Sequence, residues 1–316
     1  MWGTGGLMNK ATPGLTASEK LNFLLTNRLP RRWATLFMGW FSRIESPVLT
    51  RISIAVWQCF ADDLRLQDAQ KCHFRSLREC FTRQLKPGLR PLDLRPDVVC
   101  SPCDAIVGTC GRIEGNRVFQ AKGFPYTLDD LIPDAALAAR YRNGQFITLR
   151  LKSSMYHRFH APVDCRISQV SYVSGDTWNV NPVALKQVEK LFCKNERAVL
   201  ELRSDDRNYS LTLVPVAAIL VASMKFHFLT EPLDLKYRGA NQIPCDARFR
   251  KGQEIGYFQH GSTILVFASG QYQRSAGVGE GHHIKVGEAL LTGHPLPGRD
   301  RSDSCLSEES DAAFDT

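Results

Sequence analysis

The 316-residue sequence has no apolar run long enough to cross a bilayer. A membrane-spanning helix needs roughly 20 consecutive apolar residues, and the apolar stretch at residues 48–60 is interrupted by Arg51 and Gln58. Residues 1–20 lack the apolar segment of a secretory signal. We therefore expect neither a transmembrane anchor nor a signal peptide.

Cysteine is also sparse, with ten residues in the whole chain. Disulfide scaffolds are short and much richer in cysteine, so this composition predicts free thiols in a reducing compartment. Cys100 and Cys103 have the two-residue gap of a zinc or redox pair, but no second such pair completes a tetrahedral site. We expect no metal.

Positive charge is concentrated near the N-terminus. Residues 1–97 contain fifteen Lys and Arg against eight Asp and Glu, whereas residues 299–316 contain two against six. A basic segment favours an anionic partner, either nucleic acid or a phospholipid surface. Bulky apolar residues accompany the arginines, which is typical of an interfacial helix and not of a base-reading surface. An amphipathic helix packed on its own core fits the pattern equally well. The residues concerned are Arg28, Arg31, Arg32, Trp33, Phe37, Trp40, Phe41 and Arg43.

The chain divides into four parts by composition. Residues 1–18 are rich in Gly, Thr and Ser and are expected to fray. Residues 19–97 have mostly helical spacing and end in a proline-rich connector at 86–97. Residues 98–296 alternate short β-type runs with turns, with helices expected only at 128–141 and 183–192. Residues 297–316 are expected to form a disordered acidic tail. This predicts an α+β fold, a β-rich core of antiparallel or mixed sheets behind an N-terminal helical segment.

Three segments of the core carry reactive side chains. Residues 156–162 contain His157 and His160, a turn at 101–105 contains Asp104, and Ser262 precedes an apolar strand. Serine, histidine and aspartate are the parts of a nucleophilic site, because the weakly nucleophilic hydroxyl needs a base and the base needs a partner that fixes its tautomer. A serine hydrolase is therefore a first candidate. The Gly-x-Ser-x-Gly elbow of many hydrolases is absent around Ser262.

The same segments, in order and spacing, resemble the phosphatidylserine decarboxylase family in its bacterial membrane-associated form. The resemblance covers roughly residues 20–293, and each motif alone is weak. The matching segments are 81–91, 120–123, 156–160, 175–176, 180–181, Phe192, 195–197, 251–252, 256–258, 261–263 and 286–288.

This resemblance implies a chain that cuts itself between Gly261 and Ser262. The Ser262 hydroxyl would attack the Gly261 carbonyl to give an ester, and elimination and hydrolysis would leave an N-terminal pyruvoyl group on residue 262. His160 would act as the base, oriented by Asp104. Two chains would result, β (1–261) and α (262–316), associated as a heterodimer that could itself dimerise.

The resemblance further implies conversion of phosphatidylserine to phosphatidylethanolamine and CO2 through a Schiff base. The pyruvoyl group would serve as the electron sink, with no pyridoxal phosphate and no metal. His157 is the candidate for contact with the substrate carboxylate or for proton delivery. The eight residues between Arg28 and Arg43 would dock the protein as a peripheral enzyme on the cytoplasmic side of the cell membrane, with no nucleic-acid partner.

Three other functions remain open on the sequence. They are a serine hydrolase with an intact chain, a catalytically silent lipid-binding module and a pyruvoyl decarboxylase of soluble amino acids. The family usually has glycine after the aspartate where this chain has Ala105, so a left-handed backbone conformation there would be disfavoured.

Overall fold

A computed structural model describes residues 30–61, 63–121, 124–204, 210–220, 223–259 and 262–293. The segments expected to be frayed or disordered, 1–18 and 297–316, lie outside the described residues, as do Arg28 and Gly261.

The N-terminal part of the described chain is helical. Helix α1 spans Arg31–Phe41 and α2 spans Pro47–Phe60. Helix α2 begins where the Ser46 hydroxyl accepts from the amide of Leu49, with proline at its first position. A 3-10 turn at Leu66–Asp68 and the short α3, Leu77–Phe81, follow. Residues 86–97 contain neither helix nor strand.

Strands dominate the rest of the described chain, with four short helices among them. The helices are α4 Leu128–Leu131, α5 Ala135–Ala139, α6 Pro182–Leu185 and α7 Leu191–Lys194. The strands are β1 Val98–Cys100, β2 Ala105–Arg112, β3 Arg117–Ala121, β4 Phe124–Thr127, β5 Gln145–Leu151, β6 Arg158–His160, β7 Cys165–Val173, β8 Arg197–Arg203, β9 Ser210–Ala217, β10 Ser223–Phe226, β11 Leu233–Asp234, β12 Gln242–Phe249, β13 Glu254–Phe258, β14 Ser262–Ala268, β15 Tyr272–Arg274, β16 His283–Ile284 and β17 Ala289–Gly293.

An antiparallel sheet of eight strands organises the molecule, in the order β12-β7-β8-β9-β14-β5-β2-β16. Smaller sheets, β11-β10-β13-β6 and β1-β17-β15, contribute to the core on one face of this sheet. The short helices α4 to α7 and the β3-β4 hairpin cover the other face with a second core. Because both faces are covered, the central strand β14 is buried along its whole length.

The α+β prediction is confirmed, since the sheets are antiparallel and helices are the minor element. The two core helices predicted at 128–141 and 183–192 are each broken in two. Pro133 separates α4 from α5, and the Asp134 carboxylate caps the new start by accepting from the amides of Ala136 and Leu137. Lys190, with a φ of 51°, separates α6 from α7.

Candidate active site

Ser262 is the first residue of β14, at the centre of the main sheet. It lies between Leu151 of β5 and Ala217 of β9, and only 1% of its surface is exposed. Among the described residues its hydroxyl has no hydrogen-bond partner, and the hydroxyl of the neighbouring Thr263 has none either. Leaving a buried hydroxyl unpaired costs about 1–3 kcal/mol, a cost that is typical of groups kept for reaction or ligand binding.

His160 ends strand β6, and its position and tautomer are set by other residues than Asp104. Its amide donates to the carbonyl of Pro102 at 2.7 Å. Its Nδ1 lies 2.9 Å from the carbonyl oxygen of Gly252, which can only accept, so Nδ1 carries the proton. Nε2 is then the basic nitrogen, and it accepts from the Tyr156 hydroxyl at 3.1 Å.

Burial is the main cause that lowers the pKa of His160, with an opposing contribution from its bond to Gly252. A lowered pKa keeps the ring neutral near pH 7 and leaves Nε2 able to take a proton. His160 therefore has the protonation state that a general base needs.

Asp104 is buried close to His160, but its carboxylate binds other residues. Its Oδ1 accepts from Arg90 Nε at 2.8 Å and from the amide of Val286 at 3.0 Å. Its Oδ2 accepts from a terminal nitrogen of Arg90. The expected role of Asp104 in orienting the imidazole is thus replaced by the Gly252 carbonyl, because both carboxylate oxygens are engaged by the guanidinium and a backbone amide.

The Arg90–Asp104 pair ties the connector to the turn that precedes β2. Arg90, Tyr156 and Gly252 were not predicted as site residues, although all three lie inside the matching motifs. Nothing in the sequence pairs Arg90 with Asp104 or His160 with Gly252, which lies 92 positions away.

His157 is fully buried and packs against Phe81, which lines a large cavity. Its Nδ1 donates to the carbonyl of Met155 at 2.7 Å, and its ring lies 4.1 Å from the ring of Phe81. Phe81 in turn stacks on Trp57 of α2. The two histidines of this segment therefore occupy different environments, His160 among polar groups and His157 against aromatic rings.

The cavity has a volume of about 900 Å³ and reaches Ser262. Such a volume lies at the upper end of ordinary ligand pockets. Its wall is mostly apolar and comes from α1, α2, α3 and the 218–220 segment, with a polar side at the end of β5 and around α6. The polar side is formed by Arg150, Lys152, Ser153, Ser154, Asn179 and Asn181. This arrangement suits a ligand with long apolar chains and a polar head near Ser262.

Comparison with known proteins identifies the family. The family model described as phosphatidylserine decarboxylase matches residues 77–292. A phosphatidylserine decarboxylase proenzyme of Brevibacillus brevis is 33% identical over 273 residues, covering 85% of this chain and 96% of the relative. The corresponding proenzyme of Methylibium petroleiphilum is 35% identical, covering 86% and 98%.

The chain belongs to the phosphatidylserine decarboxylase family. The resemblance found in the sequence is confirmed, and with it the carboxy-lyase class of enzyme. Ser262, His160, His157 and Asp104 all lie within the region that the family model matches.

The departure from the phosphatidylserine decarboxylase pattern at Ala105 is accommodated by the backbone. Ala105 begins strand β2 and pairs with Ile284, and it is not among the described residues with a positive φ. A methyl group at this position therefore meets no conformational barrier.

The two N-terminal helices precede the matched region, and they place the predicted docking residues in two groups. Trp33, Phe37 and Trp40 of α1 are 75%, 60% and 62% exposed. Arg32 and Arg43 are also exposed. Helix α2 adds apolar residues that the sequence did not single out, namely Val48, Ile52, Val56 and Phe60.

Arg31 and Phe41 were predicted to dock on the membrane, but their side chains face other parts of the protein. The Arg31 guanidinium binds the Asp176 carboxylate at 2.5 Å and stacks 3.7 Å above the Trp178 ring, so it holds α1 to the core. Phe41 lines the cavity. None of the described helices combines the length and apolar character needed to traverse a bilayer.

Proposed function

We propose that this chain is a self-processing, pyruvoyl-dependent decarboxylase that converts phosphatidylserine to phosphatidylethanolamine and CO2. Family membership supports this over an intact serine hydrolase. The single observation that carries it is the buried, unpartnered Ser262 hydroxyl where the main sheet meets a 900 Å³ apolar cavity. A prosthetic group made from residue 262 would lie where a lipid headgroup can reach it.

Maturation begins with attack of the Ser262 hydroxyl on the Gly261 carbonyl. The Ser262 proton passes to the base, the peptide C–N bond breaks, and an ester joins Gly261 to the serine oxygen. Loss of the Ser262 α-proton then eliminates the Gly261 carboxylate, and hydrolysis of the resulting dehydroalanine releases ammonia. His160 is the proposed base, because its Nε2 is unprotonated and its ring is held by Gly252 and Tyr156.

The mature prosthetic group supplies a carbonyl that acts as an electron sink for decarboxylation. The protein's own contribution is the shape and polarity of the cavity. Apolar walls exclude water from the substrate carboxylate, and a poorly solvated carboxylate loses CO2 more readily. His157, which packs against the cavity-lining Phe81, is proposed to contact that carboxylate or to return the proton.

The substrate reaches the cavity from a membrane. Ile52, Val56 and Phe60 of α2 are exposed and also line the cavity, so apolar surface continues from the outside to the inside. Together with the exposed aromatic residues of α1, this surface is proposed to rest on the cytoplasmic face of the cell membrane. Basic residues such as Arg32 and Arg43 contribute about 1 kcal/mol each near anionic lipid.

The proposal divides the chain functionally. The helical segment 19–97 docks on the membrane and connects to a catalytic core at 98–296. The β chain ends at Gly261, and the α chain begins with the prosthetic group at residue 262.

Denaturing electrophoresis and intact-mass spectrometry test this function. Wild-type protein that converts phosphatidylserine in vesicles should give two chains, and the 262–316 chain should begin with a keto group in place of an amine. Ser262→Ala should stay uncut, whereas the matched control Ser171→Ala, on β7 and three strands away from β14 in the main sheet, should cut normally.

A single full-length chain in active wild-type material would refute self-processing and favour the hydrolase. Conversion of free serine but not of phosphatidylserine would favour the soluble amino-acid decarboxylase instead.

A further inference from the structure

Arg150 is a charged residue in the wall of the cavity that the maturation chemistry does not use. It lies on β5 directly opposite Thr263 of β14, one position before the residue that pairs with Ser262. Side chains alternate along a strand, so Arg150 shares the sheet face of Thr263, which is the face that the helices cover. Like Ser262, Arg150 lines the 900 Å³ cavity.

The charge of Arg150 is not neutralised by the described part of the protein. Its side chain is half-buried and makes no hydrogen bond or ion pair with any described residue. Glu280 acts on it electrostatically but does not pair with it. Burial lowers the pKa of Arg150, yet a guanidinium remains charged in proteins. A half-buried, unpaired cation of this kind is stabilised by an anionic ligand.

The described charged residues that line the cavity are all positive, like Arg150 itself. They are Arg150 and Lys152, and no described acidic residue lines the cavity. The neighbouring strand leaves room for the arginine, because a side chain at Gly108 would come within 3.3 Å of Arg150 Cδ. The cationic side of the cavity is thus built from the end of β5 and the residue that follows it, with space provided by β2.

We propose that Arg150 binds the phosphate of the lipid headgroup and so directs the amine and carboxylate of the substrate toward residue 262. This inference rests on the proposed function. Phosphate is the better partner than carboxylate on chemical grounds. An arginine paired with the carboxylate would stabilise the ground state that has to lose CO2, whereas an arginine on the phosphate binds substrate and transition state equally.

The test uses Arg150→Met in the full-length protein, with Arg142→Met as the matched control on an exposed turn before β5. The measurements are KM and kcat for short-chain phosphatidylserine and the Kd of short-chain phosphatidylethanolamine, which keeps the phosphate but lacks the carboxylate. Both KM and Kd should rise at least about tenfold in Arg150→Met, with kcat nearly unchanged and the control like wild type. Arg150→Lys should recover part of the affinity, because it restores the charge but not the paired donors.

Three results would overturn the inference. Unchanged binding of phosphatidylethanolamine by Arg150→Met would exclude phosphate as the partner, and a raised KM alone would move the contact to the carboxylate. Inorganic phosphate should bind far more weakly than phosphatidylethanolamine, because it lacks the apolar chains that fill the cavity. Equal affinity for the two would mean a general phosphate site and not a lipid site.

Failure of this inference can be distinguished from failure of the proposed function. If Arg150→Met fails to cut itself, the Kd of phosphatidylethanolamine can still be measured on that uncut chain and on uncut Ser262→Ala as its reference. Gly108→Ala, which crowds Arg150 without removing its charge, should weaken the same binding. Wild-type protein that binds phosphatidylethanolamine through Arg150 but releases no CO2 would refute the proposed function alone.

Discussion

At the scale of single residues, the hydrogen bond to Nδ1 that a Ser-His-Asp triad assigns to a carboxylate is made here by a backbone carbonyl. The Gly252 carbonyl fixes the tautomer of His160, and the Tyr156 hydroxyl holds the basic nitrogen. Asp104 instead joins Arg90 to the amide of Val286. Asp104 acts on His160 only through its charge, which opposes the lowering of the His160 pKa by burial.

The pH dependence of self-cleavage should follow His160. Its pKa is lowered by burial, so the ring stays neutral as the pH falls to the ordinary histidine value of about 6.5, and protonation stops cleavage only below that. The rate of appearance of the 262–316 chain should therefore be level from pH 8 to about 6.5 and decline at lower pH. The measurement is quantitative electrophoresis of freshly synthesised chain transferred to buffers between pH 5 and 9.

Tyr156→Phe provides a sharper form of this test. The tyrosine hydroxyl donates to the neutral imidazole and so opposes its protonation, and its removal should move the midpoint of cleavage upward. Tyr141→Phe is the matched control, because that hydroxyl binds Ser210 and Thr212 in the opposite core and its loss should leave the midpoint unchanged. A wild-type midpoint above 6.5 would exclude His160 as a buried neutral base.

At the scale of elements, strands were easier to predict than helices. The short β-type runs that predicted the core strands reflect burial in the sheet, on both faces for β5 and β14 and mainly on one face for β7. Within the helical spacing expected over residues 19–97, the part after residue 70 forms only α3, whose start at Leu77 is capped by the Ser76 hydroxyl. Short strands such as β11 and β16 have too few residues to show any period.

The site residues that stand in sequence motifs could be predicted, whereas the contacts that only the folded chain brings about could not. Ser262, His160 and Asp104 stand in recognisable motifs. The bond between His160 and Gly252 depends on β6 pairing with β13, which no local pattern specifies. Arg150 resembles any polar residue in a strand until the cavity beside it is known.

The exposed residues of helix α1 lead to a prediction about membrane binding. Its exposed aromatic residues should enter the interface, so Trp33→Ala or Phe37→Ala should weaken binding to anionic vesicles about tenfold each. Arg32→Glu should weaken it by a smaller factor that disappears at high salt. Vesicle sedimentation gives the partition coefficients.

Two variants serve as references for this helix. Leu94→Ala removes an equally exposed apolar side chain from the connector, and it should bind vesicles like wild type. Arg31 is unsuitable as a charge test because its loss would also release α1 from Asp176. Equal losses for Leu94→Ala and Trp33→Ala would mean that binding depends on general apolar exposure and not on α1.

At the scale of the whole molecule, the proposed cut falls at the entrance of the most central strand. Strand β14 is hydrogen-bonded on both sides, to β5 and β9, and each of its seven residues is buried. Strands β15 to β17, which follow it, pair among themselves or with β1 and β2. The part of the chain after residue 261 is therefore interleaved with the part before it in two different sheets.

The two chains should consequently remain together after cleavage. Removing β14 would expose its apolar residues and break both of its ladders, so dissociation should cost about as much as unfolding. Gel filtration of cleaved protein should give one peak containing both chains, even at salt concentrations that remove it from membranes. In urea, release of the 262–316 chain should coincide with loss of the far-UV circular dichroism signal, because β14 cannot leave an intact sheet. Release at a urea concentration well below that transition would mean that β14 is not held at the centre of the sheet in the cleaved protein.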